Sequence, residues 1–369
     1  MLAYLASAAL LVALALLIVW LYRTPPRLEV RRIVPQHAFE GSSVPYRLTV
    51  RVRTALPVRI LLEDQPPRTL VPSTALDFGG LLWGNSEHEL NAQLKLNRRG
   101  VFQWPDMTLR WADPFGLRWR TTALKAAGEV IVYPATHGLV LPNLLRPLLS
   151  EGALVRSVGL EDPLSLRGTR PYVPGDPPQR VAWKLSAKAD TLMIRELERT
   201  ASSSVQIHLD LAGSETYVES AVRLAASLVR EALEVALPVR VSTPSGATES
   251  GATPEALQLA LRKLAEARPE RGGTVIPTPK LGSNVVVLTQ NASDSLVQAA
   301  MNARAGASRV VIVAMPEGFY LEPGEKGRRM PATPPDQVRE LERRAGILAE
   351  AGVAVFVLRG NHSILRLGS

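Results

Sequence analysis

The stretch LAYLASAALLVALALLIVWLY, Leu2 to Tyr22, holds 21 residues without a single charge. No other feature limits the chain's options so strongly. Wound as a helix it is about 31 Å long, matching a hydrocarbon core of about 30 Å. Trp20 and Tyr22 stand at one end, where amphipathic rings favour the membrane interface. A cleaved signal peptide would need a basic start, a shorter apolar core and small residues at a cleavage site. Here nothing basic precedes the run and it closes on Val-Trp-Leu-Tyr, so it reads as an uncleaved anchor.

Arg23, Arg27, Arg31 and Arg32 follow the span. By the positive-inside rule they place the bulk of the chain in the cytoplasm, as a single-pass protein of the cell membrane. Each could also rest against anionic headgroups at about 1 kcal/mol. The formal net charge is +9, and between Arg23 and Tyr133 there are 16 Lys/Arg against 10 Asp/Glu. Basic charge gathered beside an apolar span points to membrane lipid rather than nucleic acid. Stacking aromatics of the kind that bind single strands are missing. The chain has no cysteine, which excludes disulfides, thiolate metal sites and cysteine nucleophiles.

From residue 23 to 135 the pattern is all-β. In YRLTVRVR, Tyr46, Leu48, Val50 and Val52 alternate with polar neighbours, as do Leu90, Ala92, Leu94 and Leu96 in ELNAQLKL. Period-two alternation gives one buried and one wet face, so an antiparallel β-sandwich is expected. Turn signals FEGSS, QPPR, NRRG and ADPFG separate the runs. Residues 136–200 form a bridging segment, leucine-rich and broken by Pro142 and Pro147 at its start. From 201 to 369 apolar strand-like runs (VQIHLDL, LPVRVST, NVVVLTQ, RVVIVAM, VAVFVLR) alternate with amphipathic helices. That pattern implies a doubly wound parallel sheet covered on both faces. The serine-rich TASSSV and STPSGATES read as connecting loops. The fold class is therefore multidomain α+β: a transmembrane helix over residues 1–22, a β-sandwich, the bridging segment and an α/β domain.

Within the bridging segment, YVPGDPPQRVAWKLSAKADTLMIRE carries the chain's most unusual grouping. Asp176 suits an N-cap and Pro177 a first helical position, predicting a helix from about Pro177 to Ala189. Arg180, Lys184 and Lys188, four apart, make one basic stripe. Val181, Ala182, Leu185 and Ala189 make an apolar face expected to dock inward. Trp183 falls outside that face and is expected to meet another element, the β region or a partner. The stripe reads either as a solvated face paired with Glu161, Asp162, Glu196 and Glu198, or as a binding surface for an acidic partner. No histidine or activated nucleophile accompanies it, so no catalytic residue is assigned.

The run Arg167…Tyr172-x-Pro174-Gly175-Asp176…Arg180-x-x-Trp183-Lys184-x-Ser186-Ala187-Lys188, then Arg195-Glu196, resembles the signature of the bacterial domain of unknown function 58 family. Arg99-Gly100, Asp113-Pro114-Phe115-Gly116-Leu117 and Val132-Tyr133-Pro134 resemble that family's membrane-proximal β region. Lys188 stands where members usually have arginine, and Ala182 where a polar residue is common. The resemblance implies a von Willebrand factor A-like C-terminal domain and a role beside MoxR-type AAA+ ATPases in assembling or remodelling complexes. It makes Tyr172, Asp176, Arg180, Trp183, Lys184, Lys188 and Arg195 the partner-binding candidates. The expected function is a non-catalytic membrane scaffold or adaptor.

The resemblance also raises an alternative, a divalent-metal-dependent receptor of von Willebrand A type. Such domains hold Mg²⁺ with Asp-x-Ser-x-Ser and later Thr and Asp residues, all hard oxygen donors. Asp210 and Ser214 occupy two of those positions, and Thr274 could supply a third. Ala212 replaces a serine and Gln290 stands where an aspartate is expected, so no cofactor is expected. The simpler reading has Asp210 and Ser214 capping the following helix and forming a turn at the strand end. There is no GxxxxGK[ST] motif, and His88 has no partner at metalloprotease spacing. His208 reads as a core histidine; His37, His137 and His362 are scattered.

Overall fold

A computed structural model describes residues 2–136, 161–173, 181–199, 204–234, 236–270, 275–320 and 333–358. The chain divides into two compact units, Met1–Ala135 and Thr136–Ser369. Together they make a mixed α/β protein with one apolar N-terminal helix.

That helix, α1 (Leu2–Leu21), is the one described helix long and apolar enough to cross a membrane. Its side chains face outward. Pro25 and Pro26 stop it, having no N–H to continue the ladder. The chain then enters β1 (Arg27–Ile33), β2 (His37–Phe39), β3 (Ser43–Glu63), β4 (Leu70–Pro72), β5 (Asp77–Leu96), β6 (Gly100–Trp104), β7 (Met107–Ala112), β8 (Arg120–Leu124) and β9 (Gly128–Tyr133). One sheet runs β4-β5-β3-β7-β8 with β1 also on β3, and a smaller one runs β2-β9-β6. Pairing is antiparallel throughout, except that β2 lies parallel to β9, an addition that period-two alternation cannot signal.

β3 and β5 are unusually long, and they do not run straight. Their register shifts between Thr54 and Val58, where the Thr54 hydroxyl bonds the Leu56 carbonyl and Gly84 opposite takes φ +73°. An extended strand would set Tyr46 and Asp64 about 60 Å apart, yet Tyr46 Oη donates to Asp64 Oδ2 at 2.5 Å. The hairpin is therefore folded back at this irregularity, as bulges permit. Before the bend β3 pairs with β1, after it with β7. Tyr46, Leu48, Val50 and Val52 of the first half share one core with Val58, Ile60 and Leu62 of the second, together with Leu94, Leu96, Trp104 and Val132.

Arg32 departs from expectation. It does not face headgroups: Nε and Nη2 donate to the two Asp64 oxygens at 3.0 and 2.6 Å. Its side chain is 8% exposed and that of Asp64 0%. Trp104 Nε1 donates to the same carboxylate at 2.9 Å, and the Arg32 guanidinium stacks on the Trp104 ring. Strand alternation turns Arg32 inward where Arg31 turns out, and a buried carboxylate awaits it.

In the second unit β10 (Glu161–Pro171) pairs with β11 (Met193–Arg199) around the short helix α2 (Trp183–Ala189). Then come β12 (Val205–Leu209), α3 (Glu215–Glu234), β13 (Val239–Thr243), β14 (Gly246–Ala247), α4 (Pro254–Glu266), β15 (Ser283–Thr289), α5 (Asp294–Ala303), β16 (Ala307–Ala314), α6 (Asp336–Glu350) and β17 (Val353–Val357). The sheet order is β14-β13-β12-β15-β16-β17. It is parallel except for β14, a two-residue return strand lying inside the segment expected to be only a loop. Every residue of β12 and β15 is buried. Val285, Val287, Val310 and Ile312 pack with Leu296, Val338 and Leu341 of α5 and α6, while α3 packs against β12 and β13. Thr253 and Ser293 cap α4 and α5 through their hydroxyls.

Candidate partner-docking surface and sheet-end polar cluster

The structure brings most of the described partner-binding candidates into one small region, on different terms from those expected. Asp176 and Arg180 lie outside the described residues, as does the expected helix start at Pro177. Val181 forms an isolated β-bridge with Ile194, and the Ala182 N–H donates to the Met193 carbonyl at 2.8 Å. Those two residues are thus at a sheet edge, and the helix starts only at Trp183. The inward face is correspondingly different. Val181, Ala182 and Ser186 are buried, whereas Leu185 and Ala189 are exposed.

Ser186 explains why. Its hydroxyl donates to the Ala182 carbonyl at 3.1 Å and accepts from the Met193 N–H at 2.8 Å. One side chain thus ties the first turn of α2 to the start of β11, and Asp190 in a left-handed conformation ends the helix. Ser186 stands in the family-like motif, but periodicity gives a serine on an apolar helix no special weight. Ser186→Ala leaves the Met193 N–H without this acceptor, at a cost of about 1–3 kcal/mol. Hydrogen exchange should show the Met193 amide losing protection while amides of β15 keep theirs; equal protection in the variant would contradict the role.

With Ser186 turned inward, the opposite side of α2 is wet. Trp183 is 69% exposed. Leu185, Leu192, Val173 and Tyr172 are exposed nearby, the Tyr172 N–H bonding the Leu192 carbonyl at 2.8 Å. Lys184 and Lys188 on the helix and Arg195 on β11 are exposed as well. The result is an apolar patch with cations among its members. Trp183 finds no cover within the described residues of its own unit.

A second polar cluster lies at the C-terminal ends of β12 and β15. Asp210 is buried; its Oδ1 accepts from the Ala212 N–H at 3.1 Å and its Oδ2 from the Thr289 hydroxyl at 2.8 Å. Burial raises its pKa, opposed by those two bonds. Ser214 accepts from the Tyr217 N–H and caps α3, while its own N–H donates to Gln290 Oε1 at 2.8 Å. Gln290 Nε2 reaches Glu317 at 3.2 Å. Of the two expected roles, Ser214 makes the cap and Asp210 closes the turn at the strand end without capping the helix. A Cβ at Gly213 would strike Gln290 and the Tyr217 ring, so the crossing is closed tightly.

This donor set does not suit Mg²⁺. Both Asp210 oxygens already accept hydrogen bonds, Ala212 offers no side-chain oxygen, and Gln290 supplies an amide where a carboxylate charge would be needed. Thr274 lies outside the described residues. Thr289, which sequence reading passed over, holds Asp210 in place; a threonine ending a buried strand carries no periodic signal.

Residues 168–314 match the model of a family described as protein of unknown function DUF58. This stretch includes Trp183, Ser186 and Arg195, and it supports the resemblance read from the motif. No curated protein matches the chain. Among solved structures, PapD-like domain 7 of human CEP192 is 13% identical, covering 30% of this chain and 91% of that one at a TM-score of 0.22. A Porphyromonas gingivalis W83 protein of unknown function is 15% identical, covering 29% and 48% at 0.23. The CARDB domain of the Pyrococcus furiosus PF1109 protein, in complex with di-metal ions, is 14% identical, covering 29% and 88% at 0.21. Likenesses this weak carry no argument about function.

Proposed function

We propose that the chain is a membrane-anchored, non-catalytic adaptor that recruits a protein partner through the surface of α2 and β11. The observation that carries this reading is Trp183, an exposed tryptophan beside Leu185 and Leu192 with Lys184, Lys188 and Arg195 close by. Tryptophan and arginine dominate the energetics of protein interfaces, and the lysines select an acidic partner. A MoxR-type AAA+ ATPase is the partner to which the family resemblance points, and any ATP hydrolysis belongs to it.

The remaining architecture fits this role. We read the N-terminal unit as a β-sandwich and the C-terminal sheet as a doubly wound domain of von Willebrand A type. Supporting the second reading are a short antiparallel strand, β14, at one edge and a central β12 whose neighbours β13 and β15 are reached by crossovers in opposite directions. Its sheet-end cluster is closed by internal hydrogen bonds, so it acts as scaffold rather than metal receptor. The arginines after α1 favour a cytoplasmic location for both units.

Crosslinking of the full chain in native membranes, read by mass spectrometry, tests the proposal. Trp183→Ala, and separately Lys184→Glu with Lys188→Glu, should cut recovery of the principal crosslinked protein about 30-fold, the effect of losing a hot spot worth about 2 kcal/mol. Unchanged recovery with both variants removes this surface from consideration, and turnover of a substrate by the purified chain would overturn the non-catalytic reading.

A further inference from the structure

The N-terminal unit has a second group of exposed apolar side chains, and they share one end of it. The fold-back of β3 and β5 places Leu56 and Trp83 at the bend, and Trp83 is 73% exposed. The loop between β7 and β8 starts beside Arg59, next to that bend, and carries Phe115, 75% exposed, with Leu117. Outside α1, only Leu81 and Trp119 at this same end and Ile33, Phe39 and Val71 elsewhere in the unit are other large apolar residues with comparable exposure.

This is also the end where α1 joins. Tyr22 Oη donates to the Pro57 carbonyl at 2.6 Å, and Arg120 donates to the Tyr22 carbonyl at 2.8 Å. Only Tyr22 to Pro26 separate helix from strand, and two of those five are proline. With the junction bonded to the bend itself, the apolar tip cannot swing away from whatever surrounds the C-terminal end of α1. The Phe115 loop is stiff too. Asp113 accepts from the N–H groups of Phe115, Leu117 and Arg118 at 3.0, 3.3 and 3.2 Å. Beside the junction runs a groove of about 650 Å³ lined by Leu21, Tyr22, Arg27, Arg53, Leu56 and Trp111. Arg51 in the same groove pairs with Glu87; Arg27 and Arg53 have no ion-pair partner among the described residues.

We propose that this end of the unit is seated in the membrane surface, with Leu56, Trp83, Phe115 and Leu117 in the headgroup layer and Arg27 and Arg53 on the phosphates of anionic lipids. Aromatic rings and leucines at headgroup depth, with arginines facing anionic lipid, are what an interfacial surface needs. The bilayer is the occupant because the anchor leaves from beside Leu56 at this same end, and a protein there would have to displace lipid. The inference rests on the reading that α1 spans the bilayer.

Because the chain has no cysteine, single cysteines at Leu11, Trp83, Phe115 and Val71 can each carry a nitroxide in the full-length protein. Val71 lies opposite Lys95, at the far end of the hairpin from the bend. The protein is reconstituted in phosphatidylcholine vesicles with and without phosphatidylglycerol, and depth is read from accessibility to oxygen against a water-soluble nickel chelate. The expected result is a mid-bilayer Leu11, with the ratio at Trp83 and Phe115 several-fold above Val71. Phosphatidylglycerol should raise it further, and Arg27→Glu with Arg53→Glu should abolish that increment. A deep Leu11 with Phe115 and Trp83 as wet as Val71 overturns the inference and leaves the anchor standing. A wet Leu11 overturns the anchor reading, and the inference with it. A depth indifferent to phosphatidylglycerol overturns the role of the two arginines.

Discussion

Arg32→Ala is expected to destabilise the N-terminal unit by about 3–5 kcal/mol, the penalty for leaving one member of a buried ion pair alone. Asp64 would keep Tyr46 and Trp104 as donors but lose the bidentate guanidinium. Arg32 also donates to the carbonyls of Ala126 and Pro105 at 2.6 and 3.2 Å, and those acceptors would lose their donor. Burial, and then the bond to the Asp64 carboxylate, push the Tyr46 phenol far above its ordinary range. It therefore stays protonated and keeps donating to Asp64. Urea unfolding of the full chain in detergent, followed by near-ultraviolet circular dichroism, measures the loss. A paired Arg32→Met, Asp64→Leu change should cost much less than either single change, because no charge is then stranded. A loss below about 1 kcal/mol for Arg32→Ala would mean that the pair does not hold the folded hairpin together.

The second large effect is on pH. His208 on β12 is fully buried; its Nδ1 lies 3.1 Å from the Ser242 hydroxyl, and Nε2 meets no hydrogen-bond partner among the described residues. Burial lowers its pKa from 6.5 to about 4. Since the folded state holds the imidazole neutral, the unfolded chain binds the extra proton first as pH falls. Stability is thus undiminished above about pH 6.5 and declines between pH 6.5 and pH 4, losing about 3 kcal/mol across that window. Carboxylates titrate in part of the same range, so the diagnostic quantity is the difference between wild type and His208→Gln. That difference should change by about 3 kcal/mol from pH 7 to pH 4 in unfolding measured by denaturant. Parallel curves would show that His208 accepts a proton in the folded state.

Sequence reading and structure agree where a residue's role follows from its immediate neighbours. Twenty of the 21 uncharged residues form α1, as expected of a run whose backbone only internal hydrogen bonds could satisfy in an apolar medium. Alternation at Tyr46, Leu48, Val50 and Val52 specified which side of β3 is buried. Continuous apolar runs likewise marked β12, β15 and β16, whose residues have no wet side to alternate with. The motif around Trp183 was visible because unusual residue types crowd into few positions.

Tertiary structure decided whatever depends on partners far along the chain. Arg32 looked like its neighbours Arg27 and Arg31, and only Asp64, 32 residues on, distinguishes it. The helical wheel put Leu185 inside, but Ala182 gave its N–H to Met193 and Ser186 turned its hydroxyl to the same strand, so Leu185 and Trp183 were left in water. The bend in β3, the engagement of Asp210 by Thr289 and the gathering of Leu56, Trp83 and Phe115 at the anchor's end are likewise products of long-range closure. Propensity and periodicity are local properties of the chain. A buried charge, a hydrogen bond between strands and an exposed patch depend on which distant segment arrives, and that is known only once the chain has folded.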